Sequence, residues 1–267
     1  MAGRIRIGAL VSGGGSNLQA IIDGCESNRI DADVVFVGSD NPEARGLNRA
    51  KKHGIPAFVV DYKAIKEQIQ GQSLEGLIPK DFDLDNVLAL HHVAPNTSDR
   101  DKLVRYFSTR AITEAALLKE MAPYPFDLLI LAGFMKVLTA YFIDRVNTDP
   151  SSPRIMNIHP ALLPSFPGLH GHKDAIDYGV KISGCTVHFV DEGMDTGPVI
   201  IQAAVPVSPD DTDADLSERI LSLEHKIYPE AIQLFAEGRL EVQGRIVTIR
   251  GYVPPTDTLI NPPINPD

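Results

Sequence analysis

The sequence predicts an α/β fold: a doubly wound, mostly parallel Rossmann-like sheet, followed by a long C-terminal helix and a hairpin. Two observations carry this prediction. Short apolar runs rich in β-branched residues alternate with helical patterns over roughly the first 140 residues, as strand–crossover–strand units require. A glycine-rich segment also stands where the first strand should hand over to the first helix.

Taken in order, Ile5 to Val11 is the first strand, and Ser12-Gly13-Gly14-Gly15-Ser16-Asn17 leads from it into a helix at Leu18 to Ile22. Asp33 to Val37 is a second strand, stopped by Gly38-Ser39-Asp40-Asn41-Pro42. Glu43 to His53 is helical and closed by Gly54, and Ala57 to Val60 is a third strand. A helix over Ala111 to Met121 precedes Phe126 to Ala132, an apolar run of the kind a strand buried on both faces shows. After Ile155 the pattern changes. Residues 157 to 172 are rich in Pro, Gly and His and read as a long functional loop. Cys185 to Val190 and Val199 to Val205 are strands, and Leu216 to Phe235 is a long amphipathic helix. Leu240 to Ile249 reads as a hairpin about Gly244. The predicted organisation is one unit over residues 1–253, divided near 140, with an insert at about 62–100 and a Pro-rich tail at 254–267 with little structure of its own.

A chain of 267 residues, 43% of them hydrophobic, can bury a substantial core. No apolar run approaches the roughly 20 residues of a membrane span, and the start leads straight into a strand-like segment without a secretory leader pattern. Cys25 and Cys185 are the only cysteines, too few for a disulfide framework or a cysteine-built zinc site. A cytoplasmic location with no membrane partner is the expectation. The formal charge of -10 and the lack of a basic stripe argue against nucleic acid as a partner. An anionic small ligand would have to be held by backbone N–H groups or a few local cations.

The glycine loop offers such N–H groups at a helix start. It is not a Walker loop, because no Lys follows the glycines. It is not a full dinucleotide fingerprint, because Leu18 replaces the third Gly; Asp40 is the acid that reading would use. Phosphate binding, dinucleotide binding and a plain tight turn stay open from the loop alone.

The stronger signal is Asn157-Ile158-His159-Pro160-Ala161-Leu162-Leu163-Pro164. On extended backbone, residues i and i+2 share a face, so Asn157 and His159 flank one reacting centre. A histidine exchanges protons near neutral pH, and an Asn amide donates to a developing oxyanion. Asp191-Glu192-Gly193-Met194-Asp195-Thr196-Gly197-Pro198 lies between two strands. Its Asp195 is either a solvated turn acid or a carboxylate that holds His159 and favours its charged form.

In order and spacing, the glycine loop, the Asn157-to-Pro164 run and Met194-to-Pro198 resemble the folate-dependent phosphoribosylglycinamide formyltransferases, over most of residues 4 to 250. The resemblance implies the formyltransferase version of the predicted fold. It implies Asn157, His159 and Asp195 as the catalytic residues, with Thr186 and His188 supporting the aspartate. It places Gly15, Ser16 and Asn17 at the ribonucleotide's phosphate, Glu224 at the glycinamide substrate, and Arg110, Met135, Lys136, Val137, Leu138 and Asn157 at the folate. Lys136 stands where relatives often carry Arg, and Leu163-Pro164 matches a position that is cis in relatives. The implied reaction moves the formyl group of 10-formyltetrahydrofolate, the co-substrate, to the amine of glycinamide ribonucleotide in purine synthesis, without a metal. The small molecules are the implied partners, and the protein is expected to be a monomer or homodimer.

Residues 62 to 100 are longer than the usual connection in that family and read as an elaborated surface loop or partner-binding insert. His91-His92 is a weak metal signal, because adjacent side chains point apart on a strand. Two relatives share the chemistry. A methionyl-tRNA formyltransferase would carry a further basic C-terminal domain, and a formyltetrahydrofolate hydrolase a regulatory domain ahead of the sheet. A non-enzymatic nucleotide-binding module would instead bind a dinucleotide through Asp40 and have no folate affinity.

Overall fold

A computed structural model describes residues 3–90 and 99–252. Among the described residues, nine strands form one sheet: β1 (Ile5–Val11), β2 (Ala32–Ser39), β3 (Ala57–Val59), β4 (Leu128–Leu131), β5 (Ile155–His159), β6 (Ile182–Phe189), β7 (Val199–Pro206), β8 (Leu240–Gln243) and β9 (Ile246–Ile249). Their spatial order is β3-β2-β1-β4-β5-β6-β7-β9-β8. The first five in that order run parallel. β6 is antiparallel to both neighbours, and the β8–β9 hairpin closes the far edge.

Eight helices connect them among the described residues: α1 (Ser16–Glu26), α2 (Arg45–Lys52), α3 (Tyr62–Gln68), α4 (Leu84–Leu90), α5 (Arg100–Met121), α6 (Ala140–Val146), α7 (Gly171–Tyr178) and α8 (Asp213–Ala236). The sheet is wound on both faces because strand residues alternate sides. Ile7, Ala9 and Val11 of β1 join one core with Leu18, Ile21 and Cys25 of α1 and Tyr228 and Ile232 of α8. Leu10 faces the opposite core, with Leu117 and Met121 of α5 and Phe142 of α6. The 24-residue α8 starts at a reciprocal Thr212–Asp215 capping box. Its Tyr228 hydroxyl reaches the carbonyls of Met156 (2.8 Å) and Leu131 (3.2 Å), tying the helix to β5 and β4.

Three readings of the sequence are corrected. Asn157 to His159 belong to β5, so the loop between β5 and α7 spans 160–170 rather than 157–172. Helix α5 begins at Arg100 rather than Ala111, where Asp99 accepts the amides of Asp101 and Lys102. The segment at 62–100 is no surface loop in its described part. It carries α3 and α4, and Val87 is buried against Phe107, Ala111 and Tyr141. His91-His92 and the tail at 254–267 lie outside the described residues.

Candidate active site

From β1 the chain winds toward one edge through β2 and β3, then returns to add β4 and β5 on the other side. The C-terminal ends of β1 and β4 therefore border a switch point, the place where open α/β sheets form a crevice. Three predicted segments meet around it: the glycine loop after β1, Gly133 to Leu138 after β4, and the end of β5.

Met156 and Ile158 turn into the core beneath α1 and α8, which leaves Asn157 and His159 together on the opposite face of β5. The antiparallel register sets His188 beside Asn157 and Thr186 beside His159. His188 Nδ1 lies 2.7 Å from the Phe189 carbonyl, which can only accept, so Nδ1 carries the proton. Burial pushes the His188 imidazole below its ordinary pKa, against the opposing pull of that carbonyl and Asp195. Neutral His188 then accepts at Nε2 from the Asn157 amide, 3.3 Å away. This orients Asn157 and leaves its second N–H free of that contact.

His159 is buried and meets two acceptors. Nε2 lies 2.8 Å from the Phe166 carbonyl, and Nδ1 lies 3.3 Å from Asp195 Oδ2. Neither acceptor can donate, so the pair of contacts suits an imidazolium. Asp195 arrives on the turn between β6 and β7 and also accepts the Gly168 N–H at 2.7 Å. The turn is held by Asp191, which accepts from Thr196 Oγ1 (2.5 Å) and Gly193 N–H (3.1 Å). Gly197 is obligatory there, because a Cβ would stand 1.8 Å from the Phe189 carbonyl. Thr186 and Gln202, opposite each other on β6 and β7, hold the segment after His159. Thr186 accepts the Leu163 N–H, and Gln202 donates to the Leu163 carbonyl and to Thr186. Leu163-Pro164 is cis. Sequence reasoning missed Gln202, whose only signal is an amide within an otherwise apolar strand.

Asn157, His159, His188 and Asp195 line a cavity of about 240 Å³ whose other wall is the Phe134-to-Leu138 segment. Met135 and Leu169 expose large apolar side chains at its edge, the kind of surface that marks a ligand site. A wider cavity of about 870 Å³ adjoins it through Met135 and Lys136 and is lined also by Asp40, Tyr62 and Lys66. Arg110 lines neither cavity. It is buried on α5, 3.8 Å from Glu114 and 6.0 Å from the Tyr62 ring. Nε and Nη2 have no hydrogen-bond partner among the described residues. Burial pushes Glu114 up to about 7, opposed by Arg110 and two bonds from Thr139.

The second predicted cluster forms at the start of α1. Gly15 caps it with φ 67°, and a Cβ there would lie 2.8 Å from the Gly46 Cα of α2. Arg49 Nε donates to the Gly14 carbonyl (2.9 Å), and the Gly46 N–H to Gly13 O (3.0 Å), so α2 braces the loop. Among the described residues, the amides of Ser16, Asn17 and Leu18 have no partner in the chain, as the first turn of a helix leaves them. Asn17 Nδ2 donates to Glu224 Oε2 on α8 at 2.8 Å. Burial raises the Glu224 pKa, with Asn17 and then His172 opposing. Asp40 is already engaged by Ser12 and Lys136, which leaves the dinucleotide reading without its free acid. No cluster of metal-ligating side chains occurs, and no helix is long and apolar enough to cross a membrane, among the described residues.

The formyl transferase family matches residues 5–232. The phosphoribosylglycinamide formyltransferase of Escherichia coli (strain K12) is 35% identical over 252 residues, covering 94% of this chain and 97% of that protein. The trifunctional purine biosynthetic protein adenosine-3 of Drosophila melanogaster is 39% identical over 237 residues. The chain spans only 14% of that relative and 20% of its human counterpart. Among solved structures, glycinamide ribonucleotide transformylase 1 from Symbiobacterium toebii matches with a TM-score of 0.69 and 42% identity, over 92% of this chain and 93% of that one. Phosphoribosylglycinamide formyltransferase from Coxiella burnetii matches with a TM-score of 0.70 and 32% identity, over 92% and 94%.

Proposed function

The chain belongs to the formyl transferase family, and from that premise we propose that it transfers the formyl group of 10-formyltetrahydrofolate to the amine of glycinamide ribonucleotide in purine synthesis. The products are formylglycinamide ribonucleotide and tetrahydrofolate. The observation that carries the reading is the meeting of Asn157, His159 and Asp195 on one cavity wall, opposite Phe134 to Leu138.

In this reading the free amides at the start of α1 hold the ribonucleotide's phosphate, helped by the helix dipole. Glu224, steadied by Asn17, accepts from the glycinamide side of the substrate. Met135, Lys136, Val137 and Leu138 receive the folate, whose flat ring suits a wall of apolar side chains and backbone polar groups. Arg110, buried beside Tyr62, acts from behind that wall. The substrate amine attacks the formyl carbon, forming the new C–N bond, and the bond to the folate nitrogen then breaks. Asn157 donates to the oxygen that becomes negative in between, and the His159 imidazolium joins it once its Nε2–H turns from the Phe166 carbonyl to that oxygen. Asp195, in contact with His159, accepts the proton leaving the attacking amine and passes it to the departing folate nitrogen, so protons balance. The whole unit over residues 1–253 serves this one reaction, in the cytoplasm and without a metal.

The test is formation of formylglycinamide ribonucleotide from the two substrates. Formate released without ribonucleotide would mark a hydrolase, and NAD(H) binding without folate affinity would mark a nucleotide-binding module. Either result in place of transfer refutes the proposal.

A further inference from the structure

Asp40 follows β2, is 5% exposed, and has no part in the chemistry above. Its carboxylate nevertheless sits between the two substrate segments. Oδ1 accepts the Ser12 hydroxyl at 2.5 Å, and Oδ2 lies 3.1 Å from Lys136 Nζ. Ser12 Oγ in turn accepts the Met135 N–H at 2.8 Å, and the Ser12 N–H donates to Gly133 O at 3.0 Å. Asn41 Nδ2 completes the knot with a bond to Ser12 O at 3.2 Å. Ser12 is the residue immediately before the glycine loop, and Gly133 to Lys136 lead off β4 toward the catalytic cavity.

We propose that Asp40 is a positioning residue for the folate co-substrate: through Ser12 and Lys136 it fixes the Gly133-to-Leu138 segment that walls the catalytic cavity. This rests on the reading of the reaction above. A hydroxyl has one proton to give. Because Ser12 gives it to Asp40, its lone pairs are left for Met135 N–H, and the amide–hydroxyl–carboxylate chain polarises along its length. Lys136 has a long flexible stem whose free rotamers would otherwise sweep both cavities, since it lines both. The Asp40 carboxylate anchors its tip and lays the stem along the dividing wall. None of these bonds touches Asn157, His159, Asp195 or the amides of α1. The device therefore acts on how well the folate is received, and not on the chemical step.

The test is steady-state kinetics with both substrates, together with calorimetric binding of tetrahydrofolate and thermal melting. In Asp40→Ala the KM for 10-formyltetrahydrofolate and the Kd for tetrahydrofolate should each rise about ten- to thirtyfold, the scale of one lost charge-assisted hydrogen bond. The turnover at saturation and the KM for ribonucleotide should change less than about threefold, because the chemical step and the phosphate site are untouched. Asp40→Asn keeps an acceptor for Ser12 but loses the charge facing Lys136, so it should fall between. Ser12→Ala combined with Asp40→Ala should be no worse than the poorer single variant, since both break one chain. A folded Asp40→Ala with unchanged folate constants overturns the proposal. So does an equal rise of both KM values, which would mean general loosening. A wild-type protein that binds tetrahydrofolate but transfers nothing refutes the reaction alone, and the calorimetric arm still decides the role of Asp40. A wild type that binds no tetrahydrofolate overturns both.

Discussion

Asp195→Asn separates charge from shape at the centre of the site. Asp195 Oδ2 lies 3.3 Å from His159 Nδ1, and its side chain is only 14% exposed. Two unit charges at that separation attract by about 5 kcal/mol at an effective dielectric of about 20, and by about 1 kcal/mol in water. The residual exposure pulls the effective value below the first figure. At about 1.4 kcal/mol per decade, a fall in kcat of roughly two to three orders of magnitude is expected, within the range of a general acid–base contribution. The substitution leaves most of the local structure in place. Asparagine tolerates the left-handed backbone at this position (φ 54°) as well as aspartate does, and its amide oxygen can still accept the Gly168 N–H. The measurement is formyl transfer at saturating concentrations of both substrates, with calorimetric binding of each to show that the ground-state sites survive. The defect should overlap with that of His159→Ala, because residues acting as a unit are not additive. Near-normal turnover in a folded Asp195→Asn protein would reduce Asp195 to a turn residue and sink the mechanism.

Gly15→Val should raise the KM for ribonucleotide by more than about tenfold, because a side chain at φ 67° is strained by roughly 1–2 kcal/mol and would meet Gly46 at 2.8 Å. Folate affinity should change little, and the reverse pattern would mean that the two sites are exchanged. Burial raises the Glu224 pKa, so the folded state favours its proton. The associated stability is fully present below the unfolded value near 4.5 and is lost as pH rises through the raised folded value. The same titration should make the KM for ribonucleotide climb as pH falls through the raised value. In Glu224→Gln both dependences should vanish; an unaltered KM–pH profile in that variant would remove Glu224 from the substrate site. Val87→Ala should cost about 1–3 kcal/mol, because Val87 is 2% exposed in the cluster joining α4 to α5 and α6. Calorimetric melting that shows no loss would return 62–100 to the status of a loosely attached loop.

What could be read from the sequence was local. Ile5 to Val11, the glycine loop and the hairpin about Gly244 each announce themselves within ten residues, through apolar runs, φ requirements and alternation. The shared face of Asn157 and His159 follows from period two alone, although the prolines beginning at Pro160 drew the whole stretch into a predicted loop. What escaped was non-local. Val87 is apolar within a charged neighbourhood, and its burial is set by α5 and α6, elements still to come in the chain. Asp40 stands 96 positions from Lys136, and its role is invisible until β1, β2 and β4 lie side by side. The resemblance to relatives singled out Asn157, His159 and Asp195, which meet at one cavity, but the neutral state of His188 and its grip on Asn157 needed the β5–β6 register.

The topology also explains why Asp195 carries an unusual backbone. Strands β1, β4 and β5 all point their C-terminal ends at the crevice, so their following segments reach it directly. β6 runs the other way and ends level with Met156, on the far side of Asn157 from His159. A turn after β6 must therefore double back along β5 before a side chain can touch His159. Gly193 and Gly197 permit the close passes this needs, and Asp195 itself takes the left-handed conformation that aims its carboxylate between His159, His188 and the Gly168 amide. Such a conformation costs of order 1–3 kcal/mol for a residue with a side chain. Retaining a carboxylate there follows from the contact it makes, which places the strain at the one point where the antiparallel strand meets the parallel crevice.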